Sequence, residues 1–268
     1  MAAILSRRRL LGGLALASSL WLAACASAPP AADPPVRATL APTGALRVAV
    51  YQGSPSSLVR KPGGQPVGLA FELGRELARE LGVPVYYVEV QRAQQLTEAL
   101  KANQADFTFT NASEARARDV DFTEPLVRLE LGYLVPGGST IRSVEDVDQP
   151  GVKVGVSQGS SSQAALPRLL KSATLAPVPS MAVAAQQLSA KGLDAFATNK
   201  GILFELSDQV PGSRVLDGRW GVENIAIAVP KGREAAQPFL RGFARKMRDS
   251  GELQNMMDRA GMRGAARD

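Results

Sequence analysis

The sequence predicts an α/β protein built as two similar lobes with a cleft between them. Two observations carry this. Strand-like and helix-like segments alternate from Leu46 to Thr110, and a second alternation of the same kind begins at Val152. A β-α-β-α-β order argues for a mainly parallel sheet covered by helices. Its recurrence argues for a second unit of similar build. Open sheets of this kind take ligands at the carboxyl ends of their strands, so the loops there are the first places to look.

Leu46–Tyr51 (LRVAVY) is the first strand. From Leu69 to Leu81, leucines recur every fourth position (Leu69, Leu73, Leu77, Leu81), with Ala70, Phe71 and Ala78 widening the stripe. That is one face of a helix, and Gly82 and Pro84 mark its end. Val85–Val90 is the next strand, Gln94–Asn103 a helix and Ala105–Thr110 a strand. In the second unit, Val152–Val156 is a strand, followed by a Gly/Ser loop and a helix from about Gln163 to Lys171. Ser180 is placed to cap a helix running through Lys191. Asp194–Thr198 and Ile225–Val229 are strands, and Ala235–Ala260 is helix with a break near Ser250–Gly251.

The N-terminus stands apart from this pattern. Arg7, Arg8 and Arg9 precede an apolar run from Leu10 to Ala24, the layout of a secretory signal. The run is shorter than the ~20 residues of a spanning helix, and Gly12, Gly13, Ser18 and Ser19 dilute it. Ala26–Gly44 is rich in Ala and Pro without apolar periodicity and reads as a flexible tether, so folded sequence is expected from about Ala45. Without residues 1–24 the chain keeps 28 basic against 25 acidic residues, so a net charge of +6 falls to +3. So mild an excess does not imply a nucleic-acid partner. The chain has no His and one Cys. That excludes a His- or multi-Cys zinc site, a Ser-His-Asp triad and an internal disulfide. No cofactor is expected.

Several ordered pieces resemble the extracellular solute-binding proteins of the polar-amino-acid type (family 3), which deliver ligands to ABC importers. These are LRVAV, GLAFELGRELARELGV, ADFTFTNASEARARDVDFTEPL, SVEDVDQPGVKVGVSQGSSS, GLDAFATN and IAIAVPKGREAAQPFL. The likeness spans most of residues 45–260. It implies the two-lobed periplasmic-binding-protein fold (type II), monomeric, with the cleft between the lobes as the ligand site. Lobe 1 is then expected at 45–131 plus 224–268, lobe 2 at 132–223, and crossing strands near Leu129–Val135 and Val222–Ala228. Leu22-Ala23-Ala24-Cys25 resembles a lipobox, which makes Cys25 the lipid-bearing first residue of a periplasmic lipoprotein. Ala26 leans the anchor towards the outer membrane. Ser6–Leu11 resembles a twin-arginine export motif, so the export route stays open between the two systems.

Ser113-Glu114-Ala115-Arg116 followed by Val120–Pro125 is similar to the family segment whose Arg clamps the ligand carboxylate. Arg116 takes that role by resemblance, with Asn111 and Ser113 beside it. A planar guanidinium grips a carboxylate through two charge-assisted hydrogen bonds, which suits the role. Gly155–Ser162 resembles the strand-to-helix loop of the second lobe, where Ser160 and Ser161 would hold the same carboxylate. Two departures bear on the ligand. Family members that bind α-amino acids carry an acid where this chain has Asn199, and the loop Tyr51–Ser57 lacks their usual acid and aromatics. The expectation is therefore a small carboxylate-bearing or other anionic solute without an ammonium group, contacted by Asn199 and Tyr51. Two alternatives stand beside it. One is a cyclohexadienyl-type dehydratase on the same fold, with Glu223, Asp194 and Tyr51 as acid–base candidates. The other is a sensory or envelope-binding protein that feeds no importer.

Overall fold

The computed structural model describes residues 32–61 and 63–266. The export signal, Cys25 and Ala26 lie outside the described residues.

Folded structure begins well before Ala45. Helix α1 (Pro34–Leu40) opens on two prolines, which suit the first helical turn because their missing N–H groups are spare there. It is no loose tether: Leu40 is fully buried and Val36 packs on the same core. The backbone of Ala32 donates to Glu80. Composition concealed this helix because seven residues are too few to show a period.

Strand β1 (Leu46–Tyr51) is followed by α2 (Leu69–Leu81), whose Leu69, Leu73, Leu77 and Leu81 are all fully buried. Each such leucine stabilises by roughly 1.5–3 kcal/mol through the apolar area it removes from water. Gly82 ends the helix in the left-handed conformation at φ 65°. Strand β2 (Val85–Val90) pairs parallel with β1. Helix α3 (Ala93–Lys101) ends two residues before the sequence pattern implied. Phe107 then touches β1 before β3 (Thr108–Asn111) leaves to pair elsewhere. The short α4 (Glu114–Ala117) and β4 (Val120–Phe122) lead into β5 (Val127–Val135).

In the second lobe come β6 (Lys153–Ser157), α5 (Ser161–Ala165), β7 (Thr174–Val178), α6 (Met181–Ser189), β8 (Ala195–Asn199), α7 (Lys200–Ser207) and the two-residue β9 (Arg214–Val215). Helix α5 starts two residues before the expected Gln163 and is short, giving way to a 3₁₀ turn containing Pro167. The return strand β10 (Gly221–Pro230) precedes α8 (Gln237–Asp249) and α9 (Glu252–Arg259). Strand β7 and helix α7 were not foreseen, since Pro177 sits inside the first and no stripe marks the second.

The sheet is mixed rather than mainly parallel. Strands β6, β7 and β8 pair in parallel, but β10 runs antiparallel to β3, β4 and β5, and β5 antiparallel to β8 and β9. The cause is the connection. Strands β5 and β10 cross between the lobes in opposite directions and pair with each other (Ile225↔Val127 to Gly221↔Leu131). One core gathers β1, α2, β3, α8 and α9 around Val48, Leu73, Phe107 and Phe243. Others gather β6 and β8 around Tyr133 and Val156, and α6 and α7 around Phe196 and Leu203. This is the two-lobed type II binding-protein fold.

Candidate functional site

The strand ends and loops that the topology brings together enclose a cavity of about 40 Å³. Tyr51, Asn111, Arg116, Ser160, Ser161 and Asn199 all line it, as does Glu223. Ser113 does not. It caps α4 by accepting from the Arg116 N–H (3.4 Å) and lines an open groove of about 670 Å³ outside, which shares Arg116, Ser160 and Ser161 with the cavity.

Arg116 is fixed from lobe 1. Its Nη1 donates to the Thr110 hydroxyl at 2.7 Å, which leaves the other guanidinium donors for a ligand. Burial pushes its pKa down, with Glu223 and Tyr51 opposing, and an arginine stays charged throughout. Tyr51 ends β1, and its hydroxyl is pushed up to about 12, first by burial, against a hydrogen bond from Ser54. From lobe 2, the Ser160 hydroxyl caps α5 by accepting from Gln163 N–H (3.2 Å). Ser161 Oγ donates to Glu223 Oε2 at 3.3 Å. Both ends of the Asn199 amide are engaged. Its Oδ1 accepts from Ile202 N–H (3.1 Å) to cap α7, and its Nδ2 donates to Glu223 Oε1 at 2.7 Å. Its local role is to cap a helix and orient an acid.

Glu223, an acid–base candidate by sequence, has its own place in this site. It lies on β10 at 7 % exposure, in the cavity, with no cation in ion-pair contact among the described residues. Burial raises its pKa, and Asn199, Arg116 and Ser161 pull against that. A signal existed: strand alternation puts Glu223 on the face of Ile225 and Ile227, where an unpaired carboxylate is out of place. Asp194 is elsewhere, exposed and accepting from Lys153 N–H at 2.8 Å.

The lobes meet across this cavity. Arg92 Nη1 donates to Gln158 Oε1 at 2.9 Å. Gly159, at φ 72°, comes so close to lobe 1 that a Cβ there would overlap the Gln94 amide, so only glycine fits.

The family model for bacterial extracellular solute-binding proteins, family 3, matches residues 46–261. The chain belongs to this family. It is 24% identical to the L-arginine-binding protein of Pseudomonas aeruginosa over 258 residues, covering 92% of this chain and 95% of that protein. It is 28% identical to the glutamine-binding protein GlnH of Bacillus subtilis over 144 residues, 54% of this chain and only 52% of the relative. Among solved structures it is similar to an ancestral amino acid-binding protein, a precursor of cyclohexadienyl dehydratase. The TM-score is 0.73 at 24% identity, over 83% of this chain and 98% of that one. At that identity the likeness speaks for the fold. The family is one of extracellular solute-binding proteins, and the curated relatives this chain matches are named as amino-acid-binding proteins. Among the described residues no helix is long and apolar enough to cross a membrane.

Proposed function

We propose that this family member captures a small α-amino acid, with Arg116 gripping the carboxylate and Glu223 the ammonium. The observation that carries the reading is Glu223 itself. It is an acid buried at 7 % exposure and held by an amide and a hydroxyl but by no cation. Arg116 attracts Glu223 without contacting it, and a buried charge with no partner in contact is costly, so a ligand ammonium arriving between the lobes supplies one. An acid is missing at Asn199 and in the Tyr51–Ser57 loop, but Glu223 supplies one from β10, which supports a ligand with an ammonium group over an anion without one. Ser160, whose hydroxyl only accepts within α5, adds a hydroxyl donor from lobe 2, whereas the Ser161 O–H is held by Glu223. The relatives named above for arginine and glutamine point to the same ligand class. Delivery to an ABC permease, and anchoring in the periplasm through lipid on Cys25, complete the reading.

One observation favours a second reading. Burial raises the Glu223 pKa, and with that group protonated the cavity suits a small anion. Calorimetric titration with glycine, alanine, serine and glutamine beside acetate, propionate and lactate tests both. Tight binding confined to the amino acids supports the first reading. Binding confined to the acids overturns it.

A further inference from the structure

Beyond α9 the chain does not stop at the lobe 1 surface. Residues 261–266 run along the outside of β5: Glu130 N–H donates to the Gly264 carbonyl (3.0 Å) and Ala266 N–H to the Arg128 carbonyl (2.9 Å). Leu129 and Ala265 form an antiparallel bridge. The root of this strap is set in the lobe 1 core by Leu253, Met256 and Ala260, and Arg259 bonds Glu72 on α2 at 2.8 Å. Its tip reaches lobe 2. Arg263 Nη2 lies 2.6 Å from Asp208 Oδ2 and 3.9 Å from Glu205 Oε1, and its guanidinium stacks over Phe204 at 4.7 Å from the ring centre. All three partners belong to α7 or its C-terminal cap. Gly264 passes so close to Lys200, the first residue of α7, that a Cβ would overlap that side chain. Lys200 in turn bonds Glu130 at 2.7 Å.

Helix α7 is also the element that presents the site. Asn199 at its N-terminus orients Glu223, and Ile202 in its first turn packs against Tyr51 and Leu96 of lobe 1. A helix is stiff, so a grip on its last turn is felt at its first. We propose that the strap is a third connection between the lobes, and that Arg263 is a positioning residue holding α7, and with it Asn199 and Glu223, in the closed arrangement. Arg263 touches neither cavity nor ligand. Its loss shifts the balance towards open lobes and speeds solute release. The functional half of this inference rests on the amino-acid reading above, whereas the lobe movement does not.

The test measures the lobes without ligand. Spin labels at Y86C on lobe 1 and L169C on lobe 2, both exposed positions, are placed in the full chain carrying C25S. Distances between them are read for wild type, R263A, R263K and D208A. The expected result is a long-distance population enlarged about threefold to fivefold in R263A, the scale of one exposed ion pair. D208A reproduces most of that shift, and R263K, which keeps the charge, returns part of it. A melting temperature of ligand-free R263A within about 2 °C of wild type shows that the fold is intact. Distances unchanged in R263A overturn the proposal, as does a shift that appears only together with a large fall in melting temperature. Stopped-flow release of the amino acid bound in titration should then run about threefold to fivefold faster in R263A, and an unaltered release rate also overturns it. If no amino acid binds at all, the distance measurement still decides the latch, so the two failures are told apart.

Discussion

Asp106 and Glu223 are both acids removed from water, at 0 % and 7 % exposure, yet their surroundings differ in kind. Asp106 lies in lobe 1 with two arginines on it: Arg47 through Nε and Nη2, each 2.8 Å, and Arg233 through Nη2 at 2.8 Å. The Arg47 backbone N–H adds a bond at 3.0 Å. Burial alone would raise the Asp106 pKa, but these hydrogen bonds and charges outweigh it and hold the carboxyl below its ordinary value. Glu223, between the lobes, receives only an amide and a hydroxyl, and burial wins. Glu72, a third buried acid, follows the pattern of Asp106, with Arg259 2.6 Å away. The difference teaches where to look for a ligand. An acid whose charge is already balanced holds the lobe together, and one whose charge is left open awaits a partner from outside.

The sharpest break of this contrast is D106A. It strands Arg47 and buried Arg233 without a counter-charge, and removing one partner from a buried network costs about 3–5 kcal/mol. Urea unfolding should show that loss with no change specific to ligand binding. R116A comes next, on the other side of the comparison. It should weaken ligand binding by about 2–5 kcal/mol, the usual cost of removing a hydrogen-bonded charge at a binding site. The ligand-free melting point should barely move, because the side chain makes a single bond to Thr110.

The two acids should also give opposite pH slopes. The Asp106 pKa is lowered in the fold, so its stabilisation is present above the free value of 3.8 and is lost as pH falls towards the lower folded value. The Glu223 pKa is raised, so its contribution is full below the free value of 4.5 and is lost as pH rises through the folded one. E223Q keeps the bond from Asn199 and removes the charge. It should therefore stabilise the ligand-free protein at pH 8 and flatten that slope, in melts run from pH 4 to 8. The smallest effect belongs to N199A, which uncaps α7 and frees the carboxylate it orients. About 1 kcal/mol of stability should go, with a parallel weakening of ligand binding.

Much of this was legible in the sequence, for physical reasons that can be named. Strands β1 and β2 and helix α2 show full-strength periodicity, so their ends fall where the pattern put them. The Arg116 loop and the Ser160–Ser161 turn carry motifs whose positions follow from local order, and both line the cavity. Helix α1 and helix α7 are too short to show a period, and Pro177 interrupts the pattern of β7. The role of Glu223 escaped for a different reason. A lone acid on a crossing strand becomes a site only when Asn199 and Ser161 arrive from the other lobe, and no local pattern encodes that meeting. Asn199, where the family resemblance leads one to expect an acid, is itself bonded to an acid, Glu223.

The measurement that bears most directly on the two-charge site is the affinity ratio between an amino acid and the same skeleton without its amine, alanine against propionate, for wild type and E223Q. Wild type should favour alanine by about 100-fold, worth ~2.7 kcal/mol, and E223Q should bring the ratio close to one. A ratio that stays the same when Glu223 loses its charge, or a wild type that binds propionate as tightly as alanine, would contradict the account.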